Sequence, residues 1–310
     1  MTLKRHLISN NQSKGGYSEF YEQTPLVASP LIKEGPKYYC FHPYILYRCV
    51  EHFIYNTLKA DDPKWFMDNF SGIYERYLET GLKYSSLKFY SEKDLIKNID
   101  RKSKCVDYLI FEDSNIFIDA KAVEMPYLGK VSDDPDVILG KIKNTALKAI
   151  EQAYELNSEL LTSTNKTTPK FKEESYLLVV TYKELYIGSG KALQNSVAKE
   201  KIDKLIEKTD PKAVVPLENI YFITIDDFDA LMSAAKNGES ISDIINTAIS
   251  HDKVAEHKKF HFKQHITSIL GESSPLPYLM GEADRIIGDH KVRLGENDSY
   301  TQQYPNNRNG

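Results

Sequence analysis

The stretch Cys105-Val-Asp107-Tyr-Leu-Ile-Phe111-Glu-Asp-Ser-Asn115-Ile-Phe-Ile-Asp119-Ala-Lys121 decides how this chain is read. Two short apolar runs, 105–111 and 116–123, flank the turn-forming tetrapeptide Glu112-Asp113-Ser114-Asn115, the pattern of a β-hairpin. Alternation along the second run puts Asp119 and Lys121 on one face. Asp107 lies in the first run among Val106, Tyr108, Leu109 and Ile110. Ionised groups are seldom buried unless paired or metal-bound, so two carboxylates and an ammonium in apolar strands call for a chemical reason. Mg2+ prefers carboxylate oxygens and keeps several waters. Held by two carboxylates, it activates water and polarises a phosphodiester. A lysine beside it orients the water and offsets developing charge. The D-x-K spacing alone is weak, because Asp62-Pro-Lys64, Asp100-Arg-Lys102, Asp210-Pro-Lys212 and Glu256-His-Lys258 share it in polar or turn contexts.

That chemistry needs Asp107 on the face of Asp119 and Lys121. Directly opposite residues of an antiparallel pair share a face. A four-residue loop, 112–115, sets Asp107 opposite Ala120 and turns it away from Asp119. A three-residue loop, 112–114, sets it opposite Asp119, and a five-residue loop, 112–116, sets it opposite Lys121. A bulge has the same effect. The sequence therefore predicts an odd loop or a bulge near 112–116, with positive φ at Asn115, which tolerates that region.

Outward from the hairpin, residues 1–36 are polar with Gly15-Gly16 and scattered prolines, and read as an irregular N-terminal arm. Helical spacing of Leu46, Val50, Phe53, Ile54 and Leu58 predicts a helix over 43–59, and Pro63 opens another that Gly81 can stop. A strand is expected over 86–90 and a long helix over 136–156. The buried-type strand Tyr176–Tyr182, a lysine-rich helix over 191–208 and a strand over 220–225 follow. Asp226 or Asp227 is expected to cap the next helix, and one or two more helices cover 239–266. The domain is thus bounded at 37–266, with 267–310 a C-terminal extension whose Asn/Gln-rich end reads as disordered. The order α-β-β-β-α-β over 64–182 gives an α/β fold with a mixed sheet and helices on both faces.

At this point the residues resemble a family. Val106-Asp107, eleven residues, then Asp119-Ala-Lys121 is similar to the PD-(D/E)XK nuclease superfamily, which includes many restriction endonucleases. The likeness covers about residues 64–182, with looser support to about 235. It implies a restriction-endonuclease-like αβββαβ core and Mg2+, for which Mn2+ can substitute, bound by Asp107 and Asp119 with Lys121 as the catalytic lysine. Val106 stands where the motif's name has proline. Many members add an acidic residue from the preceding helix. Glu75 is favoured for it over Glu79, because Tyr74-Glu75 falls within an aromatic stripe; the alternative is a solvated helical glutamate. Gln152 or Lys148 matches the polar residue that members often carry on the following helix. Glu124 is an outer ligand or a strand-end surface residue. The resemblance implies a DNA endonuclease, with RNA less favoured, and by analogy a role in phage or plasmid defence. The alternative is a non-catalytic or partner-gated nucleic-acid-binding or scaffold subunit, and a homo-oligomer or a partner protein is compatible with either.

The bulk numbers bound these readings. The chain has 310 residues, enough to bury a sizeable core. Its formal net charge of −4 weighs against a protein that coats nucleic acid everywhere, so a nucleic acid must meet a local basic face. Three cysteines, an odd number without C-x-x-C spacing, speak against a disulfide framework or zinc ribbon and fit a reducing cytoplasm. No apolar run has the length of a membrane span. The 21 tyrosines and 13 phenylalanines read as core packing before base stacking. The helix 191–208 is a solvated face or a phosphate-tracking one. His251, His257, His261 and His265 read as an exposed or phosphate-contacting stripe before a zinc site.

Overall fold

Pro43 and Pro63 each stand at a first helical turn, where the missing N–H is no loss. Helix α1 spans Pro43–Asp61, with His42 Nδ1 accepting from Tyr44 N at 3.1 Å. Helix α2 spans Pro63–Ser85, with Asp62 Oδ1 accepting from Trp65 N at 3.0 Å. The computed structural model describes residues 29–99 and 105–271 and a few isolated positions between 279 and 288. Most of the expected arm, 1–28, and the Asn/Gln-rich end lie outside those residues. The described end of the arm is not irregular: β1 (Leu31–Glu34) and β2 (Lys37–Cys40) form a hairpin, because Gly35 supplies the φ of +57° that its turn needs.

The main sheet has five strands in the order β3 (Phe89–Ser91), β4 (Tyr108–Phe111), β5 (Asn115–Lys121), β6 (Ser175–Thr181) and β7 (Ile220–Thr224). β3, β4 and β5 are antiparallel neighbours, whereas β5, β6 and β7 run parallel. The chain is α/β with a mixed sheet flanked by helices. A short helix, α3 (Glu92–Ile99), separates β3 from β4, a turn of structure that eight residues of polar sequence hide. After β5 come α4 (Tyr127–Val131), α5 (Pro135–Ile142), a π turn over Lys143–Leu147 and α6 (Lys148–Thr162). The second crossover is α7 (Gly190–Leu193), another π turn and α8 (Lys199–Lys208). Three helices close the described chain: α9 (Ile225–Lys236), α10 (Ile241–Asp252) and α11 (Phe262–Leu270). α11 crosses the expected boundary at 267, since Ile266 packs in the core and Ile269 and Leu270 lie against it. Thr224, not Asp226 or Asp227, caps α9, and Asp227 completes a reciprocal capping box. Among the described residues no helix is long and apolar enough to cross a membrane.

Strand alternation divides the core into two layers. Ile116, Ile118 and Ala120 point to the layer built with α2, α9, α10 and α11. Leu109, Phe117, Leu177 and Val179 point to the layer built with α5, α6, α7 and α8. Continuing the alternation puts Asp119 and Lys121 on the second face, at the strand end where the apolar layer gives out.

Gly81 does not end α2, and Ser86, in the left-handed region at φ 64°, does. Gly81 is instead where α2 meets α9: a Cβ there would lie 2.8 Å from Phe228 Cε1 and 3.3 Å from Met232 Cγ. Both side chains are buried, so neither can swing away. Alanine gains roughly 1 kcal/mol of helix propensity, while forcing a methyl into a packed contact costs about 1–3 kcal/mol. Gly81→Ala is therefore expected to lower stability by about 1 kcal/mol in urea unfolding, and a more stable variant would contradict this packing.

The same interface carries a buried carboxyl. Tyr77 Oη donates to Asp229 Oδ2 at 2.6 Å, while Asp229 Oδ1 and the Tyr74 hydroxyl are buried without hydrogen-bond partners. Burial, with the charge of Asp226, pushes Asp229 up to about 7, against the lowering effect of the Tyr77 bond. The native state therefore holds this proton more tightly than the unfolded chain. Its contribution is full below about pH 4 and is lost as pH rises through the folded value. Asp229→Asn is expected to flatten that decline and to be more stable than wild type at pH 8, by on the order of 1 kcal/mol. Thermal melts at acid and mildly alkaline pH check it; equal destabilisation at both would show that the carboxyl is not held neutral.

Candidate functional site

The hairpin resolves the register. Phe111 pairs with Asn115 and Tyr108 with Ile118, so the loop is the three residues 112–114. Continuing the count sets Asp107 opposite Asp119, which is the three-residue alternative. The expected positive φ at Asn115 is absent: among the described non-glycine residues only Ser86 and Tyr186 have one. The reason lies on the other side of the strand. Asn115 N donates to Glu174 O at 3.0 Å and pairs in register with Ser175, so extended backbone is imposed by β6.

β4 and β5 part beyond the Tyr108–Ile118 pair, leaving the Ala120 N–H without a β4 carbonyl. The Asp107 carboxylate takes that place, accepting from Ala120 N at 2.6 Å. Asp119 is almost wholly buried at 1 % exposure, and Lys121 Nζ lies 2.7 Å from its Oδ2. That ion pair is the contact that holds Oδ2, which is otherwise buried without a hydrogen-bond partner. Burial first, then the neighbouring Asp119 charge, pushes Asp107 up to about 8, although Ala120 N–H and Lys121 work to lower it. Burial likewise raises Asp119 against the pull of Lys121 and a hydrogen bond with Asp107. Two neighbouring buried carboxyls, one of whose oxygens is met only by the Lys121 ammonium, are a donor set that a divalent cation fits, since the cation offsets their buried charge.

The other sequence candidates separate. Glu75 sits on α2, which covers the opposite face of the sheet, and its side chain is exposed. Its charge still reaches Asp107 as the weakest of the raising influences. Its backbone carbonyl, not its carboxylate, is held in the fold, by Tyr108 Oη at 2.8 Å. Glu79 pairs with Lys83 at 2.7 Å. Among the described residues no group of three or more His, Cys, Asp or Glu side chains is placed to hold a metal ion. On α6, Lys148 follows the π turn and its charge lowers Asp119. Gln152 Nε2 instead donates to Cys105 O at 3.0 Å, anchoring the entry to β4 two residues before Asp107.

Glu124 is half-buried and paired, not a free strand-end surface residue. Lys59 of α1 stands 2.8 Å and Lys183 3.0 Å from its carboxylate. Burial works to raise Glu124, and the two lysines outweigh it and hold the group below its ordinary value. Lys183 also lies 4.7 Å from the Tyr55 ring centroid, and Lys130 is near enough to lower its pKa, after burial. Lys59, Lys130 and Lys183 thus gather just beyond Lys121, a positive zone that sequence reading missed. Their numbers are far apart: the parallel pairing of Lys121 with Thr181 brings in Lys183, and Lys59 reaches Glu124 from α1.

The histidines form no stripe, since α10 ends before His257 and α11 starts after His261. His265 is buried with Nε2 3.0 Å from Asp252 Oδ1, and His261 Nδ1 is 3.2 Å from Glu184. The helix over 191–208 pairs its own charges, Lys199 with Asp203 at 2.9 Å, as a solvated face does. Compared with known proteins, the chain matches no family model, no curated protein and no solved structure.

Proposed function

We propose that the chain is a divalent-metal-dependent nuclease of the PD-(D/E)XK type, acting on DNA in preference to RNA. The observation that carries this reading is the buried Asp107–Asp119 pair with Lys121 at 2.7 Å and Asp119 Oδ2 otherwise unsatisfied. The order α2, β3, β4, β5, α6, β6, with α3 inserted after β3, supports it as an αβββαβ core. Asp107 and Asp119 would hold Mg2+, or Mn2+ in its place. When bound, such a cation supplies Lewis acidity that acidifies a water and polarises a phosphoryl oxygen. Lys121 is fixed by Asp119 where an ammonium can orient the attacking water and offset charge on the phosphate. Lys148 adds positive potential from the next helix. The lysines around Glu124 answer the net charge of −4 with a local basic zone for neighbouring phosphates. Service in phage or plasmid defence rests on analogy with the family. A partner-gated form is the alternative reading, and it draws on the acidic net charge of −4.

Incubation with double-stranded DNA, single-stranded DNA and RNA in Mg2+, against an EDTA control, tests the activity. Asp107→Asn, Asp119→Asn and Lys121→Met are each expected to slow cleavage by a factor of roughly 100 or more. Asp119→Asn should melt close to the wild-type temperature without metal, because it removes a repelling charge. A folded Asp119→Asn protein that cuts at the wild-type rate would refute the site.

Mg2+ or Mn2+ should sustain turnover, and Ca2+, which accepts looser geometry and activates water less, should not. The raised pair keeps a proton at neutral pH that competes with the cation. At subsaturating metal the rate should therefore climb as pH rises toward about 8, where Asp107 gives up its proton. The climb should shrink at saturating metal. A profile with no dependence on metal concentration would separate the proton from the metal site and overturn this assignment.

A further inference from the structure

The loop after β6 and the loop before α11 meet in an exposed cluster of rings. Tyr186 is 50 % exposed and Phe260 59 %. The His261 ring meets both edge-on, with its centroid 5.9 Å from that of Tyr186 and 4.6 Å from that of Phe260. Glu184 holds two of the three: its Oε1 accepts from Tyr186 N at 3.0 Å, and its Oε2 stands 3.2 Å from His261 Nδ1. Tyr186 sits at φ 58°, in the left-handed region that a tyrosine rarely enters. The loop adopts that conformation without burying the ring, as expected where a side chain is held out for a ligand. The stretch 251–265 carries Lys253, Lys258, Lys259 and Lys263 against Asp252 and Glu256, a positive excess in a chain of net charge −4. Lys258 and Lys259 directly precede Phe260, and Lys263 follows His261 by two residues. Among the described residues none of these ammonium groups meets a carboxylate in an ion pair, unlike Lys199 of α8 with Asp203. Asp252 is engaged by His265 and the Tyr221 hydroxyl, which leaves Glu256 as the one exposed acid of the stretch.

We infer that this cluster is a binding surface for single-stranded nucleic acid, with bases stacked on Tyr186 and Phe260 and phosphates met by Lys258, Lys259 and Lys263. Unpaired bases offer flat faces to aromatic rings whatever their sequence, and the backbone beside them offers one negative charge per nucleotide to the lysines. A duplex supplies the phosphates but keeps its base faces stacked inside. An apolar protein face would cover the rings and strand the ammonium groups away from water without partners. The surface adjoins the candidate site. Glu184 directly follows Lys183, whose ammonium stands 3.0 Å from Glu124, three residues beyond Lys121. The lysines around Glu124 thus continue the positive surface from the rings toward the carboxylate pair. That a strand held here is the one cut at Asp107 and Asp119 rests on the nuclease reading; the binding itself does not.

Fluorescence anisotropy of a labelled oligothymidylate of about twenty nucleotides, titrated with the full chain in EDTA so that nothing is cut, tests it, with thermal melts on each variant. The wild type is expected to bind this strand, and more tightly than its duplex with oligoadenylate. Phe260→Ala should weaken binding about tenfold, the loss of one stacked base. Tyr186→Gly should weaken it similarly while melting no lower than wild type, because glycine adopts the left-handed backbone freely. Phe260→Ala carries the comparison if Tyr186→Gly does not fold. Lys258→Gln combined with Lys263→Gln should flatten the salt dependence, by about 0.7 per lysine in the log–log slope. A wild type that does not bind the strand overturns the inference, as does equal or tighter binding of the duplex. Wild-type affinity in both ring variants, or an unchanged salt slope, overturns it as well. Because binding in EDTA involves no metal, its failure leaves the carboxylate site standing, and a failed cleavage assay leaves this surface standing.

Discussion

Two carboxylates facing each other at the end of a hairpin are the constraint on which the rest of the site hangs. A strand pair has a two-residue repeat, so one residue more or less in the loop sends Asp107 to the opposite face. The three residues 112–114 prevent that, and β6 enforces it by taking the Asn115 N–H into its own ladder. The pair works against the fold: burial raises both groups, and the charge of Asp119 raises Asp107 further. What offsets the cost is local. Ala120 N–H binds Asp107, and Lys121 neutralises Asp119. An apolar pair at these positions would have been simpler for packing, which is why the arrangement points to chemistry.

The sequence carried the hairpin, both prolines that open α1 and α2, the crossover helix and the buried strand β6, because each rests on local periodicity or on a residue whose backbone preference is strong. It could not settle the loop length, since Glu112-Asp113-Ser114-Asn115 is turn-forming throughout; the face requirement reduced the choices to odd registers, and parallel pairing selected one. Gly81 misled because a glycine near a helix end reads as a stop, whereas its role is to admit Phe228 from a helix about 150 residues later, a contact with no local signature. Glu75 shares a sequence neighbourhood with the motif, but α2 lies across the sheet from Asp119. The lysines around Glu124 come from three separate segments and become neighbours only through the fold.

α1 reaches the edge of the candidate site through Lys59. Its inner face places Lys59 on Glu124, three residues beyond Lys121. Lys183 meets the same carboxylate from the end of β6. Both ammonium groups also lie over the Tyr55 ring of α1, 5.2 and 4.7 Å from its centroid.

The central claim is that Asp107 and Asp119 together bind a divalent cation. Crystals soaked in Mn2+ and measured at an energy where manganese scatters anomalously test it most directly. The account predicts one strong anomalous peak between the two side chains, about 2.2 Å from an oxygen of each, lost in Asp119→Asn. An anomalous map with no peak at the pair, or with its only peak elsewhere in the molecule, would contradict it.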